Sequence, residues 1–215
     1  MQKGTDVIGR AVVVATAACV VLLPPTLWAQ DGTSIGGVTS AVRLGTLSEN
    51  ESQTGRWTGV DGHFRWGHFT VGGRILAGGL GGNPSRQDSD IRRSEISIRL
   101  RPRPWLHVGV QAEALRVSND LVRSIGRMFG VGAAVKSGLG VPGLSATGAI
   151  AVYPITSVVA SRSLARPRSL EVGMAYRVAG VPFEGHLSYL METVDYKGAS
   201  DLRIGGTTLG LRLLR

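Results

Sequence analysis

The sequence predicts an all-β chain that closes into an antiparallel up-and-down barrel of about ten strands, with about eight as the alternative, and with its apolar face turned outward. Three observations predict it. The first is a pattern that recurs about ten times after residue 35, in which roughly ten residues alternate apolar and polar and then break at a turn. The second is an alternation of short and long connections, as in a meander with tight turns on one rim and loops on the other. The third is the placing of Trp66, Phe69, Trp105 and Phe183 at or beside the short turns only. Aromatic residues favour a membrane–water interface, so these four are expected to form an interfacial girdle on one rim.

The elements follow in order. The first strand is expected over Gly36 to Leu44, with Val38, Ser40, Val42 and Leu44 on one face. The second, over Arg56 to Phe64, alternates poorly. The third runs over His68 to Gly78, with Phe69, Val71, Ile75 and Ala77 on its apolar face, and the fourth over Arg92 to Arg101, with Ile96, Ile98 and Leu100. The fifth is Trp105 to Arg116, one of the cleanest copies of the pattern. The sixth is Met128 to Ser137, the seventh Leu144 to Tyr153, the eighth Ser169 to Val178, the ninth Phe183 to Thr193 and the tenth Leu202 to Leu214. Long polar connections are expected at Gly45 to Gly55, Gly79 to Ile91, Val117 to Arg127, Pro154 to Arg168 and Val194 to Asp201. Five long and four short connections put both termini on the short-turn side, which an even strand number requires.

Ahead of the strands lies a leader. Lys3 and Arg10 precede an apolar run from Ala11 to Leu23, broken by Pro24-Pro25, and Leu27-Trp28-Ala29 precedes the polar Gln30-Asp31. This is the layout of a secretory signal peptide over residues 1–29 with cleavage after Ala29, leaving 30–215 as one domain. The single cysteine, Cys19, falls inside it, so the exported chain is expected to carry no disulfide and no thiolate metal site. No later stretch is long and apolar enough for a helical span. The 31 glycines, many inside the alternating runs, argue against an all-α fold. Lys and Arg outnumber Asp and Glu by 24 to 15, for a net charge of +9. A basic balance suggests nucleic acid, anionic lipid or acidic ligands. The export signal excludes the first.

The chain resembles the bacterial outer-membrane β-barrel proteins, the small porin-like and adhesin-like barrels. The carriers are the leader, the hairpin Leu100-Arg101-Pro102-Arg103-Pro104-Trp105 and the closing run Thr207-Thr208-Leu209-Gly210-Leu211-Arg212-Leu213. The resemblance implies residence in the outer membrane, contact with its lipids and insertion by the outer-membrane assembly machinery. Proteins of this kind usually end in an aromatic residue. This chain ends Leu213-Leu214-Arg215 and departs from that signal.

By alternation the barrel interior is expected to hold Arg43, Asp61, Arg74, Glu95, Arg99, Glu113, Lys136, Glu171, Arg177, Glu184, Glu192 and Arg212, with His63 and His186. In a narrow barrel such charges serve first as filling, paired to offset the cost of burial. A thin path lined by them would favour anions. Two further functions compete. His186-Leu187-Ser188 sets an imidazole and a hydroxyl on one strand face with Glu184 and Glu192, the residue set of acyl transfer. It resembles the His-x-Ser element of outer-membrane lipid A deacylases, although Tyr189 follows where that element has Asn. A soluble secreted barrel holding an apolar ligand is the other alternative. Arg162, Arg166 and Arg168 crowd one long loop and suit lipopolysaccharide phosphates.

No cofactor is implied. Gly78-Gly79-Leu80-Gly81-Gly82 lacks the Lys and the helix of a phosphate loop. His63 and His68 fall on opposite faces and cannot converge on a metal. Asp88, Asp90, Asp195 and Asp201 sit in loops without a histidine to make a protease.

Overall fold

The computed structural model describes residues 32–46, 52–81, 88–118, 123–158, 164–196 and 202–214. Residues 1–29, where a leader is expected, and Arg162, Asp201 and Arg215 lie outside them, as do the side chains of Arg166 and Asp195.

All ten strands form, and they close on themselves. They are β1 (Ser34–Thr46), β2 (Ser52–Trp66), β3 (Phe69–Gly81), β4 (Ser89–Arg103), β5 (Leu106–Ser118), β6 (Arg123–Gly138), β7 (Leu144–Val158), β8 (Leu164–Arg177), β9 (Phe183–Tyr196) and β10 (Leu202–Leu214). Each pairs antiparallel with its chain neighbours, and β1 pairs with β10, from Ser34↔Leu214 to Thr46↔Leu202. Closure leaves no strand edge unpaired, which a wall in lipid requires.

The strands overrun the expected limits, mostly at the rim opposite the tight turns. Much of what the sequence suggests as long loop is strand: β6 already begins at Arg123, β7 runs on to Val158 and β8 starts at Leu164. Proline misleads here. Pro102, Pro154 and Pro167 each sit where the ladder shifts register, at Leu100/Arg103, opposite Phe129/Val131 and at Ala165/Arg168. Proline has no N–H for a ladder, so a bulge absorbs it and the strand continues.

The facing of side chains changes along the barrel axis. In the half nearer the tight turns the outward residues are apolar, for example Val71, Ile98, Val110, Val131, Val172 and Leu211. An outward run such as Phe183 to Met191, tilted by about 40°, climbs ~20 Å, close to the ~25 Å apolar band of a membrane barrel. In the other half the polarity inverts. Val38, Val42, Trp57, Leu76, Leu80, Ile91, Leu115, Met128, Tyr153 and Ile204 form one buried cluster inside the barrel. Arg43, Arg56, Arg92, Arg127, Arg168 and Arg203 are exposed there, each one residue along its strand from an inward side chain.

This inversion corrects two expectations. Val38 and Val42 line the interior, and Arg43 faces outward, because β1 passes most of its length in the half where the core is apolar. It also accounts for β2. Trp57, 1% exposed, points inward beside Gly55 and Gly59, while Arg56 points out, so no single face of the strand is apolar throughout.

The tight turns need left-handed backbone. Gly67 at φ 57 turns β2 into β3, and Gly180 at φ 77 lies between β8 and β9. A side chain there would clash with its own carbonyl.

Candidate functional site

The lumen holds a layer of charge between the apolar cluster and the tight-turn mouth. One ladder rung sets its frame: Arg212 of β10, Gly36 of β1, Asp61 of β2, Arg74 of β3, Glu95 of β4 and Glu113 of β5 stand side by side. Arg212 donates to Asp61 through Nε and Nη2, reaching across β1. Gly36 has no side chain to stand between them. Arg74 lies 3.9 Å from Asp61 and crosses the lumen to Glu171 of β8, donating at 3.1 and 3.4 Å.

Glu95 and Glu113 are neighbours of like charge on that rung, which alone would be repulsive. Arg93, one inward position along β4, resolves it. Its Nη2 donates to Glu113 at 2.8 Å and lies 3.8 Å from Glu95, while its Nη1 stands 3.1 Å from Glu192 on β9. Arg93 is 2% exposed. Tyr153 donates to Glu113 at 2.8 Å and accepts from Gln111. Arg93, Gln111 and Tyr153 are not among the expected interior residues. Arg93 was findable: it shares strand parity with Glu95 and Arg99. Tyr153 was findable too: it alternates with the outward Ile150 and Val152 and shares parity with the buried Ala151.

Below this layer, toward the tight turns, lies an open vestibule of about 360 Å³. Arg65, Arg99, Arg101, Lys136 and Arg212 line it, with Glu171 and Glu184 as its carboxylates. Lys136 reaches Glu184 at 3.1 Å, and Arg212 lies 3.7 Å from it. Lys136 is exposed at this mouth rather than deep in the lumen, and Arg177 is exposed at the end of β8. Ser34 bonds His63 Nδ1 at 2.8 Å, and Ser40 bonds Thr208 at 2.7 Å.

The set proposed for acyl transfer is present but not assembled. His186 and Ser188 both face the lumen and are buried. Ser188 donates its proton to Glu171 at 2.7 Å, not to His186. Among the described residues neither ring nitrogen of His186 has a hydrogen-bond partner, and Asp61 lies 4.0 Å from its Nε2. Glu184 and Glu192 are held by cations. The imidazole fills the space over Gly210, where a side chain would collide with it. Among the described residues no group of three or more His, Cys, Asp or Glu is placed to hold a metal ion.

On the outside, Trp66, Phe69, Trp105 and Phe183 are all exposed at the tight-turn rim, with Trp66 paired to Phe69 and Phe183 to Leu213. Arg168 is exposed on the outer face of β8.

A closed strand barrel with an apolar outer band in one half and a layer of charge in its lumen is a transmembrane β-barrel, the architecture of the small outer-membrane barrels. No family model matches the chain, and no curated protein does. Among solved structures it is similar to Neisserial surface protein A (12% identity, 85% of this chain, 97% of that chain, TM-score 0.46). It is similar to the translocator domain of the autotransporter NalP from Neisseria meningitidis (12% identity, 98% and 99%, TM-score 0.46). A third is Ail, the attachment invasion locus protein of Yersinia pestis (12% identity, 86% and 100%, TM-score 0.39). The class rests on the closure and facing of the strands, not on these likenesses.

Proposed function

We infer that this chain is a non-enzymatic barrel of the bacterial outer membrane, exported by its leader and closed to flow by its own side chains, with a structural or surface-interaction role. One observation carries this reading: Arg93 ties β4 to β9 through the lumen, with Trp57, Tyr153 and the rest of the apolar cluster filling the barrel on the loop side. Buried ions paired in this way fix a packed interior rather than a water path. The outward apolar half supports the membrane over the soluble secreted barrel.

The vestibule favours a second reading, a narrow pore for anions, because its lining carries more cations than carboxylates. Planar-bilayer recording separates the two. The closed reading expects no steady current from the wild type at any voltage. A wild-type current selective for anions would replace it with the pore.

A further inference from the structure

The outer wall carries an oblique groove of about 890 Å³, and its floor follows one ladder rung. Gly62 of β2, Gly73 of β3 and Ala112 of β5 are the floor, with Ile96 of β4 between the last two. Phe64, Val71, Ile75 and Phe129 stand as walls. Small side chains on a lipid-facing rung leave room for one acyl chain laid across the strands. By itself such a floor says nothing of what occupies it.

The loop-side end of the groove supplies the second observation. Arg127 of β6 lines it, in register with Ala114 of β5. One rung further toward the loops Arg92 of β4 and Arg116 of β5 stand directly opposite each other. Opposed residues on adjacent strands lie about 5 Å apart, so two guanidiniums face outward together where like charges repel. Among the described residues neither they nor Arg127 form an ion pair, and every strand carboxylate with a described side chain faces the lumen except Asp90. The Nε of Arg116 is shut off from solvent with no hydrogen-bond partner. Three guanidiniums without an ion pair among the described residues, at the plane where the outer wall passes from apolar to charged and with Asp90 as the one outward strand carboxylate near them, suit phosphate oxygens, which the planar fork matches in pairs.

We propose that β2 to β6 form a seat for a single phosphorylated, acylated glycolipid of the outer leaflet, with one chain in the Gly62–Gly73–Ala112 groove and its phosphate on Arg92, Arg116 and Arg127. The seat rests on the membrane placement above. It names a partner for the wall of the barrel, a place distinct from the Arg162, Arg166 and Arg168 cluster suggested by the sequence.

The test uses the full mature protein, folded in detergent and checked by heat-modifiable gel mobility, with bisphosphorylated lipid A as the probe in native mass spectrometry. The triple variant Arg92→Gln/Arg116→Gln/Arg127→Gln is expected to bind at least tenfold more weakly, and wild type is expected to bind the dephosphorylated lipid at least tenfold more weakly. A control pair on the opposite wall, Arg43→Gln/Arg203→Gln, is expected to stay within twofold. Gly73→Leu fills the floor and is expected to weaken binding at least fivefold. A Cβ there meets nothing nearer than the Glu95 carbonyl oxygen at 3.7 Å, so the strand tolerates it. Ala112→Phe is the second groove variant should Gly73→Leu fail to fold. Equal binding by the triple variant, equal binding of the dephosphorylated lipid, or an equal loss in the control pair overturns the seat. A mature chain that stays soluble without detergent overturns the membrane placement itself, a separate failure.

Discussion

Arg93 on β4 stands 3.1 Å from Glu192 on β9, so a single side chain spans the lumen. Its other nitrogen donates to Glu113. Arg93→Ala leaves Glu113 and Glu192 buried with no cation beside them among the described residues, while Glu95 keeps Arg99 at 3.8 Å. Removing one partner of a buried pair costs about 3–5 kcal/mol. Urea unfolding followed by gel mobility is expected to show a loss of that size. A loss under about 1 kcal/mol, the range of an exposed ion pair, contradicts the assignment.

Gly36 matters for a different reason. It stands on the rung between Arg212 and Asp61, and a Cβ there would overlap the Leu211 carbonyl oxygen. Gly36→Val is expected to destabilise the barrel by about 1–3 kcal/mol, the usual cost of overpacking. Gly37, its outward neighbour, has nothing near its Cβ position. Gly37→Val is the paired control and is expected to fold as wild type.

The ring of His186 and the hydroxyl of Ser188 are expected to be dispensable for lipid chemistry. Lipid A profiles from cells carrying His186→Ala or Ser188→Ala should match wild type by mass spectrometry. Ser188→Ala gives up its bond to Glu171, at a cost of about 1–2 kcal/mol in stability. A missing acyl chain that returns only with the wild-type gene would restore the enzyme reading.

The tryptophans report on two environments. Trp57 is sealed inside the barrel, whereas Trp66 and Trp105 are more than half exposed at the tight-turn rim. In vesicles, headgroup-depth quenchers are expected to reduce the emission of a variant keeping only Trp66 or only Trp105. A variant keeping only Trp57 should resist both headgroup and aqueous quenchers. Quenching of Trp57 by iodide would mean an open lumen.

The strand number and the outward face of the tight-turn half were legible in the sequence, because alternation is strict where one face meets lipid and the other meets charge. The loop-side half was not. There the lumen is filled by Val42, Trp57 and Leu80 while Arg43 and Arg56 face out, so a rule of charge inside fails and Arg43 is misplaced. Strand ends were missed at Pro154 and Pro167, where bulges keep alive strands that proline alone would stop. Ion partners were beyond reach of sequence. Arg93–Glu192 and Arg74–Glu171 join strands far apart in the chain, and only closure brings them together.

In the half nearer the tight turns these strands turn their apolar residues to lipid and hold their charges in the lumen. Single cysteines at Val108 and Val172, which are exposed, and at Ala151 and Ala175, which are buried, test it directly in a chain lacking residues 1–29 and hence Cys19. With nitroxide labels in vesicles, positions 108 and 172 are expected to show strong collision with lipid-soluble oxygen and weak collision with a water-soluble nickel complex. Position 151 should show weak collision with both, and position 175, which lines the vestibule, weak collision with oxygen. High nickel accessibility with low oxygen accessibility at 108 and 172 would contradict the account.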